Sequence, residues 1–252
     1  MLPDFFFWGD YMNSRIKLSA RNALCGSYAE ILPAVTAIIL LRITFSAINA
    51  ALNSFTANIS PLLLCTAALF SLLAAVTAIS PLRLKLQIKH LFLAQGKSSF
   101  CKPRFGFSDV AKACDLCIRL FFIKIFMLAV FEAVPCFVSM IYLYCNRRSP
   151  VSLNAAYAVW AGTFFLAAAG LIFWAIFIQR YSKALFYLAC YKDFSPDDAI
   201  RESVRKTQGK AAETFLFKAS FLPWLILCIG ILPALYVLPY YKQSVTCFYL
   251  SR

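Results

Sequence analysis

The sequence predicts an all-α fold, a polytopic transmembrane bundle of about six spans with short amphipathic helices on the cytoplasmic side. Three observations carry that prediction. Of 252 residues, 62% are hydrophobic and only 14% charged, more apolar surface than a soluble domain of this length can hide from water. Several apolar runs reach the roughly 20 residues needed to cross a bilayer at about 1.5 Å per residue. The scarce charge is one-signed, 25 Lys and Arg against 11 Asp and Glu, which marks loops facing anionic lipid head groups rather than a nucleic-acid surface. No nucleic-acid partner is expected.

The chain opens on an aromatic cluster, Phe5, Phe6, Phe7 and Trp8, between Asp4 and Asp10. It has no basic n-region and no small-residue cleavage site, so it does not read as a cleaved signal peptide. The cluster suits a wedge at head-group level, with a plain tail as the alternative. A basic interfacial segment, 12–28, leads into the first span.

Four spans follow from the apolar runs at 31–52, 61–80, 118–145 and 151–178. The segments 15–21, 83–119 and 180–218 hold 3, 8 and 8 basic residues, whereas 53–60 holds none and 146–150 holds two. The positive-inside rule then places the N-terminus in the cytoplasm. Beyond Lys218 the apolar chain carries Pro223, Pro233 and Pro239. Proline is tolerated in the first turn of a helix and Gly230 can close the preceding one, so two short crossings are expected, 214–231 and 233–250, with the C-terminus also inside. The rival is a single span ending near Leu238.

The basic segments 81–117 and 180–212 are expected at the cytoplasmic interface. The stretch after Pro81 alternates apolar and polar residues, a strand pattern. A lone strand at a membrane surface would leave its backbone unpaired, so the second span is expected to run on as a basic helix. Ser108 should cap another helix leading into the third span. Ser195, Pro196, Asp197, Asp198 and Gly209 specify both ends of a short helix, with Ile200, Val204 and Thr207 on one face. Its two aspartates read as capping, not as a catalytic or metal pair.

Ten cysteines do not imply disulfides here, because Cys65, Cys136 and Cys228 lie in apolar runs where cysteine acts as a small hydrophobe. Cys114 and Cys117 form a lone CxxC; with one histidine in the chain a zinc site would lack ligands, and no cofactor or metal is expected. His90 reads as an interfacial polar residue.

Ionisable groups at bilayer depth are the first place to look for function. Arg42 and Glu132 lie at similar depth, roughly 16 to 20 Å from the cytoplasmic face by helical rise, and their opposite signs suggest a pair. Lys124 lies nearer the cytoplasmic end and can snorkel, for instance toward Glu30, and Arg180 is a second interfacial charge. Tyr240, Lys242 and Gln243, with Tyr241, Ser244 and Thr246, make the last span polar and should turn it inward. Ala158, Gly162 and Gly170 allow close helix packing in the fourth span. No Walker loop, nucleophile elbow, HExxH or carboxylate cluster occurs, so nothing argues for an enzyme.

The C-terminal third carries Arg180-Tyr181-Ser182 with Ala184, the segment 203–209 followed by Lys210, Ser220-Phe221, Trp224, Pro239-Tyr240 and Phe248-Tyr249. In these features, and in the basic "SARNAL" helix before the first span, the chain resembles the bacterial multi-pass membrane proteins of the domain of unknown function 975 family. Leu222-Pro223 departs from the family's more usual glycine-containing pair. The resemblance implies a helical membrane bundle and no defined activity.

The expectation is a non-enzymatic accessory or scaffold protein of the bacterial cytoplasmic membrane. Its basic helices would grip anionic head groups, and it would take a protein partner or a second copy of itself. The alternative is a transporter or lipid-handling protein with a site at Arg42, Glu132, Tyr240, Lys242 and Gln243. A hydrated cavity faced by those residues would favour the alternative; a filled core would favour the scaffold.

Overall fold

A computed structural model describes residues 4–56, 61–96, 106–148, 153–191, 193–226, 228 and 231–251. The described chain is helical throughout. Its elements are α1 (Asp4–Leu24), α2 (Tyr28–Thr56), α3 (Pro61–Ala94), α4 (Phe107–Arg148), α5 (Leu153–Phe177), a 3-10 turn (Ile178–Tyr181), α6 (Ala184–Cys190), α7 (Pro196–Thr207), α8 (Ala211–Ala219), α9 (Leu222–Ile226) and α10 (Ile231–Leu250). The side chains of the expected aromatic wedge, Phe5 to Trp8, fall outside the described set, as does Gly230.

Four helical stretches are long and apolar enough to cross a membrane: Tyr28–Ala51, Thr66–Ala94, Phe107–Asn146 and Ala156–Cys190. Each packs on its neighbour in sequence, α2 on α3, α3 on α4, and α4 on α5, while no comparable contact joins α2 to α4 or α5. They form an open row rather than a closed ring. Along their length they expose large apolar side chains, Leu40, Phe70, Phe126, Phe137, Phe164 and Phe173 among them, the pattern expected where lipid is the solvent.

The buried core gathers at the basic end. There α1, α6, α7, α8 and α10 pack around the final turns of α3 and the first of α4. Phe217 stacks face to face on Phe248 with centroids 4.3 Å apart and meets Phe221 edge-on at 5.7 Å. Leu84, Ala113, Leu116, Ala184 and Ala199 form a second cluster, and Ile31, Val35 and Leu86 a third. Gly26, at φ +91, turns the chain between α1 and α2 in the left-handed region that favours glycine.

The segment 214–231, expected as the fifth crossing, is not one helix. α8 stops at Ala219 and the five-residue α9 starts at Leu222, because Pro223 cannot donate the amide that would continue α8. α10 does begin with Pro233 in its first turn. It is not among the four crossing stretches, and it packs on α1, α3 and α2 at the basic end.

Four helices continue through a proline, Pro33 in α2, Pro81 in α3, Pro135 in α4 and Pro239 in α10, and two of the freed carbonyls accept a hydrogen bond from another helix. Pro81 in α3 releases Thr77 O, which accepts the Ser80 hydroxyl at 2.9 Å and the Cys114 thiol of α4 at 3.7 Å. Pro239 in α10 releases Leu235 O, which accepts the Tyr28 hydroxyl of α2. Pro135 in α4 releases Phe131 O, which faces the bare Cα of Gly170 on α5, where an added Cβ would stand only 3.1 Å away. A buried carbonyl without a partner is costly, so these contacts permit the prolines. As expected, α3 runs on past Pro81 as a basic helix; α4, by contrast, begins at Phe107, so Ser108 is its second residue and not its cap, and Gly106 N donates to Asp109 Oδ2 at 3.0 Å.

α7 has the expected ends. The Asp198 amide donates to Ser195 Oγ and the Ser195 amide to Asp198 Oδ2, both at 3.2 Å, a reciprocal capping box. Gly209, at φ +74, follows it. Its buried face is Ala199, Ser203 and Thr207, with Ile200 beside it. Ser203 Oγ donates to Arg180 O at 2.7 Å and accepts from the Lys183 amide at 3.2 Å, which ties α7 to the 3-10 turn.

Two predictions follow from this packing. Phe217→Ala should destabilise the detergent-solubilised protein by about 3–5 kcal/mol, the usual cost of emptying an aromatic core site, whereas Phe164→Ala on the exposed apolar half should leave thermal unfolding in detergent nearly unchanged. The Ser195 hydroxyl and amide hold the Asp198 carboxyl below its ordinary value, so its contribution to α7 is present above that value and is lost as pH falls through the folded, lower one. Amide exchange should therefore show α7 fraying in acid, and Asp198→Asn should remove that dependence.

Candidate functional site

Where the open row meets the packed base there is a cavity of about 430 Å³. Helical periodicity builds its walls. On α2, Val35, Ile38, Ile39 and Arg42 share one face; on α3, Arg83, Leu86, Gln87 and His90; on α4, Cys117, Leu120, Phe121 and Lys124. Each set follows the i, i+3, i+4, i+7 spacing that aligns side chains along a helix, and each has a cation at one end. Tyr181, Ser182 and Leu185 close one side, and Lys218 of α8 with Leu238 and Lys242 of α10 close another.

Five basic side chains therefore surround one space: Arg42, Arg83, Lys124, Lys218 and Lys242. No carboxylate of a described residue pairs with any of them; Arg119 pairs with Asp115 and Asp197, and Arg205 with Glu202, on the outside of the base. The Lys218 ammonium donates to Gln179 Oε1 at 2.8 Å, a neutral partner. The charges of Lys218, Arg83, Arg42 and Lys124 all act on the Lys242 ammonium. Lys124 and Lys242 keep accessible surface, and both face this cavity. Chemically, the arrangement can hold an anion by charge-assisted hydrogen bonds from several sides, with apolar contacts along α2 and α4.

Behind the cavity a polar seam fixes α10 against α3. His90 Nδ1 lies 2.6 Å from Gln243 Oε1, Gln243 Nε2 donates to His90 O at 3.3 Å, and Gln87 Nε2 donates to Thr246 Oγ1 at 3.0 Å. Numbers rise on one helix as they fall on the other, so the two run antiparallel. The amide oxygen can only accept, so Nδ1 of His90 carries the proton. Its Nε2 is buried without a partner.

The sequence-predicted residues divide. Arg42, Lys242 and Lys124 line the cavity; Gln243 stands one hydrogen bond behind it. Lys124 does not turn to Glu30, whose carbonyl accepts from Lys89 Nζ at 2.8 Å. Tyr240 packs edge-on against Phe221 at 5.8 Å, in the base. Arg180 lies over the Phe177 ring at 4.7 Å, on the outside. Glu132 does not pair with Arg42: it faces Gly170 across the α4–α5 contact, where an added Cβ would stand 3.0 Å from its Oε1. Equal depth puts two residues at one height but does not set which way each helix turns them. His90, expected at the interface, is wholly buried, because α10 covers it.

Sequence reasoning missed Arg83, Lys218, Gln87 and His90. Arg83 and Lys218 were absorbed into basic interfacial segments. A usable signal was present: residues 31–108 and 214–252 contain no Asp or Glu, so cations there have no local counter-ion.

The chain matches, over residues 11–251, the family model described as Protein of unknown function (DUF975). It belongs to the DUF975 family. No curated protein and no solved structure matches it. The DUF975 match runs from α1 to the end of α10, so it includes every cavity cation.

In this DUF975 chain the seam should be cooperative. Gln243→Leu strands the buried His90 ring and should cost about 1–3 kcal/mol in thermal unfolding. Adding His90→Leu should cost less than the sum of the two single changes, since both buried polar groups are then gone.

Proposed function

We propose that the protein is a lipid-handling membrane protein that binds an anionic, lipid-like ligand in the cavity between its crossing helices and its basic base. One observation carries the reading: five cations from five helices face one cavity without a carboxylate partner among the described residues. Uncompensated charge at membrane depth is expensive and is retained where it contacts an ion, water or a substrate. The open row supports a ligand with an apolar part, because the faces of α2 and α4 that reach the cavity are apolar up to their cations.

The topology that accompanies this reading has four crossings. Both termini and the base lie on the cytoplasmic side of a bacterial cytoplasmic membrane, as the basic segments require. In that arrangement α8, α9 and α10 belong to the base, and α10 lies at the level of the last turns of α3.

A second reading, an accessory protein with a partner on the exposed apolar faces of α4 and α5, is favoured only by the open row itself. Lipid covers such faces equally well.

Native mass spectra from a mild detergent test the proposal. The wild type should retain a phosphate-containing lipid adduct, Lys242→Gln and Arg83→Gln should reduce it by about tenfold, the scale of one lost charge-assisted hydrogen bond, and Glu132→Gln should retain it. A bare wild-type protein, or equal adducts in all four, would sink the site.

A further inference from the structure

We infer that the ligand's head group is a terminal phosphate carrying two negative charges, a phosphomonoester, on an apolar chain that leaves the cavity along α2 and α4. The inference rests on the lipid-handling reading above and sharpens it.

Charge comes first. A carboxylate or a phosphodiester brings one negative charge to this cluster of basic side chains, whereas a phosphomonoester brings close to two at neutral pH. Geometry points the same way. The cations arrive from α2, α3, α4, α8 and α10, so they approach from several sides. A terminal phosphate offers three free oxygens; a diester offers two and sends a second ester arm into the ring of donors. Arg42 and Arg83 add planar forks suited to paired phosphate oxygens, and the lysines add point charges.

Apolar contacts decide what the phosphate is attached to. Val35, Ile38 and Ile39 of α2 and Leu120 and Phe121 of α4 line the cavity, with Arg42 and Lys124 about one turn further along the same two helices toward their exposed ends. α2 and α4 flank α3 without closing over it, which leaves a lateral path for a chain. At about 430 Å³ the cavity holds a head group and the start of a chain, while the rest would lie along helices that are already lipid-facing.

The test compares three probes with the full-length protein in detergent: phosphatidic acid, phosphatidylglycerol and inorganic phosphate, at a pH about 1.5 units above and below the monoester's second ionisation near pH 6. Lys218 of α8, its ammonium lowered by burial to about 7, also faces the cavity, as do His90 of α3, Cys117 of α4 and Tyr181 of the 3-10 turn. A protein group that titrates changes the binding of both lipids in parallel and leaves their ratio. A ligand that titrates changes the ratio of phosphatidic acid to phosphatidylglycerol binding. The expected result is phosphatidic acid binding about tenfold tighter than phosphatidylglycerol at the higher pH and losing most of that advantage at the lower. Arg83→Gln and Lys242→Gln should each weaken phosphatidic acid more than phosphatidylglycerol, with thermal unfolding reported for both so that a misfolded variant is set aside for the other. Equal, pH-independent binding of the two lipids, lost in the variants, would overturn the phosphomonoester and keep the site. Inorganic phosphate competing as well as phosphatidic acid would overturn the apolar chain. Indifference of both lipids to either variant would overturn the site as well.

Discussion

Like charges facing one cavity, with no carboxylate partner among the described residues, are the constraint on which the rest of this structure depends. Moving a cation from water into an apolar surround costs several kcal/mol even after relaxation, and neighbouring cations in a medium of intermediate dielectric repel each other strongly. Burying five of them in a closed apolar bundle would defeat folding. The row of α2, α3, α4 and α5 stays open at that level, and Lys124 and Lys242 keep their accessible surface there. An open row is thus not a loose version of a four-helix bundle. It is the packing that leaves the cations room for water or an anion.

Such a cluster can be held only by a rigid support, since mobile lysines would swing apart. The base provides it. Phe217, Phe221 and Phe248 lock α8 to α10, Lys218 is fixed by Gln179, and the seam from Gln87 to Thr246 and from His90 to Gln243 sets the register of α10 on α3. The prolines belong to the same support. Pro81 and Pro239 each release a carbonyl that accepts from another helix, Thr77 O from Cys114 and Leu235 O from Tyr28, so at these two places helix breaking becomes helix joining. That is possible only where the neighbour already carries the donor.

Much of the fold was legible because its signals are local. Run length located the four helices long and apolar enough to cross a membrane; Ser195, Pro196, Asp198 and Gly209 marked the ends of α7. Backbone satisfaction chose helix over strand after Pro81, against the alternating pattern. The differences share a cause. Hydropathy cannot tell a helix in lipid from one buried among other helices, so it does not register that Gln243, Ser244 and Thr246 of α10 are all buried in protein. The stretch 214–231 looked continuous because apolar content says nothing of the turn at Ser220 and Phe221. For the site, depth was readable and direction was not. Arg42, Lys124 and Lys242 stood out as charges in apolar surroundings, while Arg83 and Lys218 were hidden by other basic residues nearby in sequence.

Glu132 gives the clearest case of what direction adds. It is the one acid among residues 116–192, and a carboxylate inside the cavity would offset part of its positive charge. Lys124 and Glu132 share α4 but are eight residues apart, about 12 Å along the axis and nearly a quarter turn around it. That rotation carries the carboxyl to α5, where Gly170 has no side chain to obstruct it, and where Phe131 O is already exposed by Pro135. A glycine on one helix and a proline on the other thus give the acid a place of its own at the α4–α5 contact. The separation of Glu132 from Arg42 is what leaves the charge of the cavity intact.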